Sequence, residues 1–133
     1  MEKSRFIFRN LNPSKRECED DVVRALALAL HKDWQAVYAD LCSVGTNLSC
    51  MPGEKACYKT YLEHHGFARV GISNRKGSKR PTVRMFAKTH TEGIYVLQAA
   101  RRLVTVIDGH YYDIQDCGDK CLYAYWYESK SVI

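Results

Sequence analysis

The sequence has no long apolar run. Across its 133 residues no stretch approaches the ~18 consecutive apolar residues of a membrane span. Met1 to Asn10 is charged and holds no apolar signal core. Both absences lead us to expect a cytoplasmic protein with no membrane partner. There are only three prolines, and no internal repeat or low-complexity tract. One domain over residues 1–133 is the simplest organisation for this length. A C-x-x-C pair is also missing. Cys117 and Cys121 are four apart, and Cys42, Cys50 and Cys57 are eight and seven apart. These spacings fit neither a zinc ribbon nor a finger, so the six cysteines read as reduced thiols in a cytosolic chain. No metal or other cofactor is called for. Nor is there a strong charge of one sign. Twenty Lys and Arg against fifteen Asp and Glu leave a net +5, which admits nucleic acid or an acidic partner surface without demanding either.

What is present is a folding composition. Hydrophobic residues make up 46% and charged residues 26%, which argues against disorder outside the ends and one loop. A chain of this size buries about 65% of its unfolded surface, enough for a real core.

Phe6-Ile-Phe8 is a short apolar run, a strand or a strap. A first helix is expected from Glu19-Asp20-Asp21 to about His31, since acidic residues suit a helix start. Val22, Val23, Ala25, Leu26, Ala27, Leu28, Ala29 and Leu30 are apolar nearly all round, the mark of a core helix. Asp33 reads as the cap of a second helix, Trp34 to about Cys42, with Trp34, Val37, Tyr38 and Leu41 on one stripe. Gly45 to Gly53 reads as a connection. A third helix is predicted from Glu54 to His65, stopped by Gly66. Val70 and Ile72 suggest a short strand, and 82–88 a short helix. Strands are then predicted over 94–97, 103–107, 110–113 and 122–127, with Asp108-Gly109 as a hairpin turn. Helices over about 19–65 followed by an antiparallel sheet over about 93–127 make an α+β fold.

Two motifs sharpen this. Asp20-Asp21-Val22-Val23-Arg24-Ala25 opens the core helix. Arg102-Leu103-Val104-Thr105-Val106-Ile107-Asp108-Gly109-His110-Tyr111-Tyr112-Asp113-Ile114-Gln115-Asp116 forms the meander, with Tyr125-Trp126 closing the domain. Together they resemble small bacterial and phage-associated proteins of the papain-like cysteine peptidase fold. In those proteins the helix motif typically reads Asp-Cys-Val-Val-Arg-Ala and the meander begins with His. The resemblance runs from about Asn12 to Trp126. It implies a papain-like fold with a cysteine at the helix N-terminus, a histidine on a strand and a third residue that orients the imidazole. Carried across, the cysteine place is Asp21, the histidine place Arg102 and the orienting place Asp113, with Asp116 second.

Thiol and imidazole are both replaced. An arginine stays protonated at any working pH and cannot act as a base, and a carboxylate is a poor nucleophile toward an amide. The resemblance thus implies a pseudo-enzyme: a binding or inhibitory module in a bacterial or host cytosol, of phage or mobile-element origin, acting on a host factor. It also leads us to expect an Asp21–Arg102 ion pair. On their own the three residues read more plainly, as a helix-start charge, a solvent-facing arginine and a turn residue.

Two alternatives stay open. Cys18, three residues before Asp21, is a displaced nucleophile for an active cysteine hydrolase, with His110, His90, His64 or His65 as its base. Arg75, Lys76, Lys79 and Arg80 form a basic segment suited to phosphate or to an acidic protein surface, or simply a solvated loop. Cys57, His64 and His65 have helical spacing for a metal but lack a fourth ligand. The expected partner is a protein or peptide, with nucleic acid as the alternative. Oligomeric state is not legible.

Overall fold

The computed structural model describes residues 4–72 and 79–129. The elements are β1 (Phe6–Phe8), α1 (Asp21–Leu30), α2 (Trp34–Leu48), α3 (Lys55–His64), β2 (Phe67–Gly71), α4 (Val83–Thr89), β3 (Ile94–Ala99), β4 (Arg102–Ile107), β5 (His110–Asp113) and β6 (Leu122–Glu128). The α+β reading holds. The strands form one six-stranded sheet in the order β1-β5-β4-β3-β6-β2.

One face of the sheet carries the helices. Leu26, Ala27 and Ala29 of α1 are buried against Val37 and Leu41 of α2, Leu62 of α3, and Val96, Leu103 and Trp126 of the sheet. The all-round apolar composition of α1 therefore reflects its central position. Thr105, fully buried beneath α1, donates its hydroxyl to the Ala25 carbonyl at 2.6 Å. The other face carries a smaller core, in which Val83, Phe86 and Ala87 of α4 meet Leu97, Val104, Val106 and Tyr111.

The β4–β5 turn forms as its Asp-Gly pair requires. Asp108 and Gly109 both have positive φ, 48° and 82°, the pattern of a two-residue hairpin turn. Three expectations need correction. The helix expected to end near Cys42 continues to Leu48. Gly45, read as loop, lies buried inside it, because a Cβ there would sit 2.5 Å from the Cys50 carbonyl oxygen. The returning chain needs that space. Next, the meander stops at β5. The outer edge of β5 is taken by β1, which pairs with it in parallel, so β6 returns to lie between β3 and β2. The sheet is thus not confined to the C-terminal part of the chain, and one of its pairings is parallel. Finally, the acidic residues at the start of α1 do not cap it. Asp20 is the N-cap residue but makes no side-chain cap bond, because its carboxylate is committed elsewhere.

Candidate functional site

Asp20 and Arg24 are one helical turn apart and both are buried. Asp20 Oδ1 accepts from Arg24 Nε at 2.7 Å, and Oδ2 accepts from Asn12 Nδ2 at 3.1 Å and from Trp34 Nε1 at 2.9 Å. Burial pushes the Asp20 carboxyl upward, but the bonds from Arg24, Asn12 and Trp34 outweigh it and hold it below the usual carboxylate range. Arg24 then reaches the sheet, where its Nη1 donates to Asp113 Oδ1 at 2.9 Å. The second oxygen of Asp113 accepts from Arg102 Nη1 at 2.6 Å. An alternating chain Asp20–Arg24–Asp113–Arg102 therefore runs from the start of α1 to the end of β5 and the start of β4. Each buried charge has an opposite partner, the condition under which buried ions are tolerated.

Asp21, the first residue of α1, sits beside this chain. Its Oδ2 accepts from the Leu103 backbone N–H at 2.9 Å, tying the helix start to β4. Burial raises its carboxyl above the ordinary value, and the Leu103 bond with the Arg24 and Arg102 charges only partly offsets this. The expected Asp21–Arg102 ion pair is not formed. Arg102 is bonded to Asp113, the buried acid at the end of the adjacent strand, while Asp21 is satisfied by a backbone amide. The three places come together, but the pairing is Arg102 with Asp113. Asp116 lies apart from them and accepts from the Tyr111 hydroxyl at 2.6 Å and the Gly118 N–H at 3.0 Å. Arg24 was missed from the sequence. Its signal was a charged residue four positions after Asp20 on an otherwise apolar helix.

Asp21 and Arg102 open onto a cleft of about 860 Å³. Glu17, Cys18 and Glu19 line it before α1, Trp34 and Tyr38 from α2, Pro52 and Gly53 from the α2–α3 connection, and Arg101 from the β3–β4 turn. Trp34, fixed by its bond to Asp20, stacks on Tyr38 at 5.2 Å and 10°. Tyr38 is 47% exposed and forms an aromatic wall. Arg101 is exposed and stands at φ 57°, a left-handed conformation that costs a non-glycine residue of order 1 kcal/mol.

No family model, curated protein or solved structure matches the chain. The chemistry open to the cleft is set by its side chains. Cys18 lines it and accepts a long bond from Asn12 Nδ2 at 3.9 Å. None of the five histidines, all among the described residues, lines the cleft with it. His110 opens β5, whereas Asp113 closes it. His90 is stacked on Phe86 at 3.7 Å. Cys57 points inward and donates to the Leu41 carbonyl at 3.2 Å, its thiol pushed up to about 11, chiefly by burial. His65 Nδ1 meets the Tyr61 carbonyl, so Cys57, His64 and His65 are not brought together as ligands. Among the described residues no group of three His, Cys, Asp or Glu is arranged to hold a metal ion. In the basic segment, Arg75 and Lys76 lie outside the described residues. Lys79 is exposed. Arg80 donates to the Ile72 and Leu122 carbonyls at 2.9 and 3.4 Å and packs over Tyr123. No helix among the described residues is long and apolar enough to cross a membrane.

Proposed function

We propose that the chain is a catalytically inactive papain-like module whose cleft binds a protein or peptide segment. Borne by a phage or mobile element, it would act on a host factor, as an inhibitor in the bacterial cytoplasm. The observation that carries this reading is the Asp113–Arg102 bond at 2.6 Å. An acid on β5 orients the side chain at the histidine place on β4, as the third residue of a thiol hydrolase orients its imidazole. The oriented group is a guanidinium, which holds its proton permanently and cannot relay it. Opposite it, the cysteine place holds a carboxylate bonded to Leu103. The frame of an acyl-transfer site thus remains while both exchangeable groups are gone. An 860 Å³ cleft with an exposed aromatic wall and charges of both signs suits recognition of an extended segment.

The active-hydrolase reading, with Cys18 as nucleophile, has no histidine in the cleft to support it. The test is selection from a random-peptide display library against the intact chain, alongside a thiol-directed peptidyl electrophile. We expect enriched peptides whose binding is lost in Tyr38→Ser and Arg101→Glu, and no rapid labelling of Cys18. Enriched peptides indifferent to both substitutions, or fast labelling of Cys18 with hydrolysis of the peptides, would overturn the reading.

A further inference from the structure

We infer that the sheet face made by β6 and its edge neighbour β2 is a stacking platform for single-stranded nucleic acid. The inference does not rest on the cleft, which lies on the opposite, helix-bearing side. Along β6, Tyr123, Tyr125 and Tyr127 occupy alternate positions. Their partners put Tyr125 and Tyr127 on one face. Tyr127 stands between Ala68 and Tyr95, and Tyr125 between Val70 and Leu97. The Tyr123 backbone carbonyl accepts from the Ile72 N–H at 2.9 Å, which sets Tyr123 beside Ile72, a residue packed against the same α4-side core as Tyr125. Alternate residues on a regular strand are about 6.8 Å apart, which spaces Tyr125 and Tyr127, while Tyr123 stands beyond them where the β3–β6 register shifts.

The cover over this line is incomplete. Phe86 and His90 of α4 reach Tyr125 and Tyr95, at 4.9 and 5.1 Å respectively. Tyr123 and Tyr127 remain 41% and 39% exposed. Their β2 neighbours on this face, Ala68 and Val70, are small, while one side of the Tyr123 ring is occupied by the Arg80 guanidinium.

The charge at this surface points to a polyanion. No strand position on this face, over 68, 70, 95, 97, 123, 125 and 127, is acidic. At one end the Arg80 guanidinium lies 4.6 Å from the Tyr123 ring centroid and is held by two backbone carbonyls. Exposed Lys79 adjoins it, and the whole chain carries +5. Ring faces for bases beside a fixed cation for phosphate are the two features that bind single strands without sequence preference.

The test is fluorescence anisotropy with labelled oligothymidylate of about twenty nucleotides, at low salt and along a salt series. The expected result is saturable binding that weakens as salt rises. Tyr123→Ala and Tyr127→Ala should each weaken it by about fivefold or more, while Tyr123→Phe and Tyr127→Phe keep it, since stacking needs the ring and not the hydroxyl. Both tyrosines are exposed, and circular dichroism checks that the variants fold. Absence of binding at low salt would overturn the inference. So would alanine variants that bind as the parent does, because generic positive charge would then explain the affinity. Self-association of the chain abolished by Tyr123→Ala, with no oligonucleotide bound, would give the face to a second copy instead.

Discussion

Two guanidinium groups converge on Asp113, one from the core helix and one from the neighbouring strand. Removing a partner from such a buried network leaves charges unpaired, which costs about 3–5 kcal/mol. Asp113→Ala is therefore expected to lower the unfolding free energy measured by urea denaturation by that order, far more than Asp116→Ala at the exposed turn. Asp21 behaves in the opposite sense. Burial raises its folded carboxyl above the unfolded value. The folded chain then binds the proton more tightly, so stability falls as pH rises from the unfolded value through the folded one, and the loss persists at neutral pH. Asp21→Asn keeps an acceptor for the Leu103 amide and removes the charge. It should raise the thermal midpoint at neutral pH, with the gain vanishing below the ordinary carboxylate range. Asp20, held low by Arg24, Asn12 and Trp34 against its burial, contributes stability above the unfolded carboxylate value that is lost as pH falls through its depressed one. Acid unfolding of Asp20→Asn should accordingly begin from a lower plateau at neutral pH.

Among the elements, α2 depends on a single close approach. The Cys50 carbonyl packs where a side chain at position 45 would stand. Gly45→Ala should destabilise the chain by about 1–3 kcal/mol, measured by chemical denaturation, despite alanine's better helix propensity. The same contact explains why α2 was only half legible. A glycine in a polar stretch signals a loop unless one knows what approaches it. By contrast α1, α3, α4, the Asp108-Gly109 turn and β3 to β5 follow from local periodicity and turn chemistry. The placement of β6, and the parallel seating of β1 on β5, depend on strand pairings distant in sequence. At the site, the expectation that Asp21, Arg102 and Asp113 lie together rests on a resemblance, not on their spacing or chemistry. The Arg102–Asp113 pairing could not be read there, because it joins two strands whose ends meet only in the folded sheet, where Asp113 also accepts from Arg24.

For the whole molecule, one sheet separates two surfaces. The helix side ends in a cleft of mixed charge around Asp21, Arg101 and Arg102. The other side, only partly covered by the seven-residue α4, presents tyrosines and Arg80. Substitutions at Tyr38 or Arg101 should leave oligonucleotide binding unchanged, and those at Tyr123 or Tyr127 should leave peptide selection unchanged. Anisotropy and display on the same four variants check this independence.

The proposed function holds that the first residue of α1, the first residue of β4, and Asp113 occupy the three places of a thiol-hydrolase site. It is tested by restoring the lost groups and measuring the rate of iodoacetamide alkylation against pH. In Asp21→Cys with Arg102→His, Asp113 should orient the imidazole, and the helix start should hold a thiolate. Alkylation at about pH 6 should then be tenfold or more faster than in Asp21→Cys with Arg102→Gln, and adding Asp113→Asn should abolish the gain. A cysteine at position 21 that follows one ordinary thiol profile, with or without the histidine, would contradict the account.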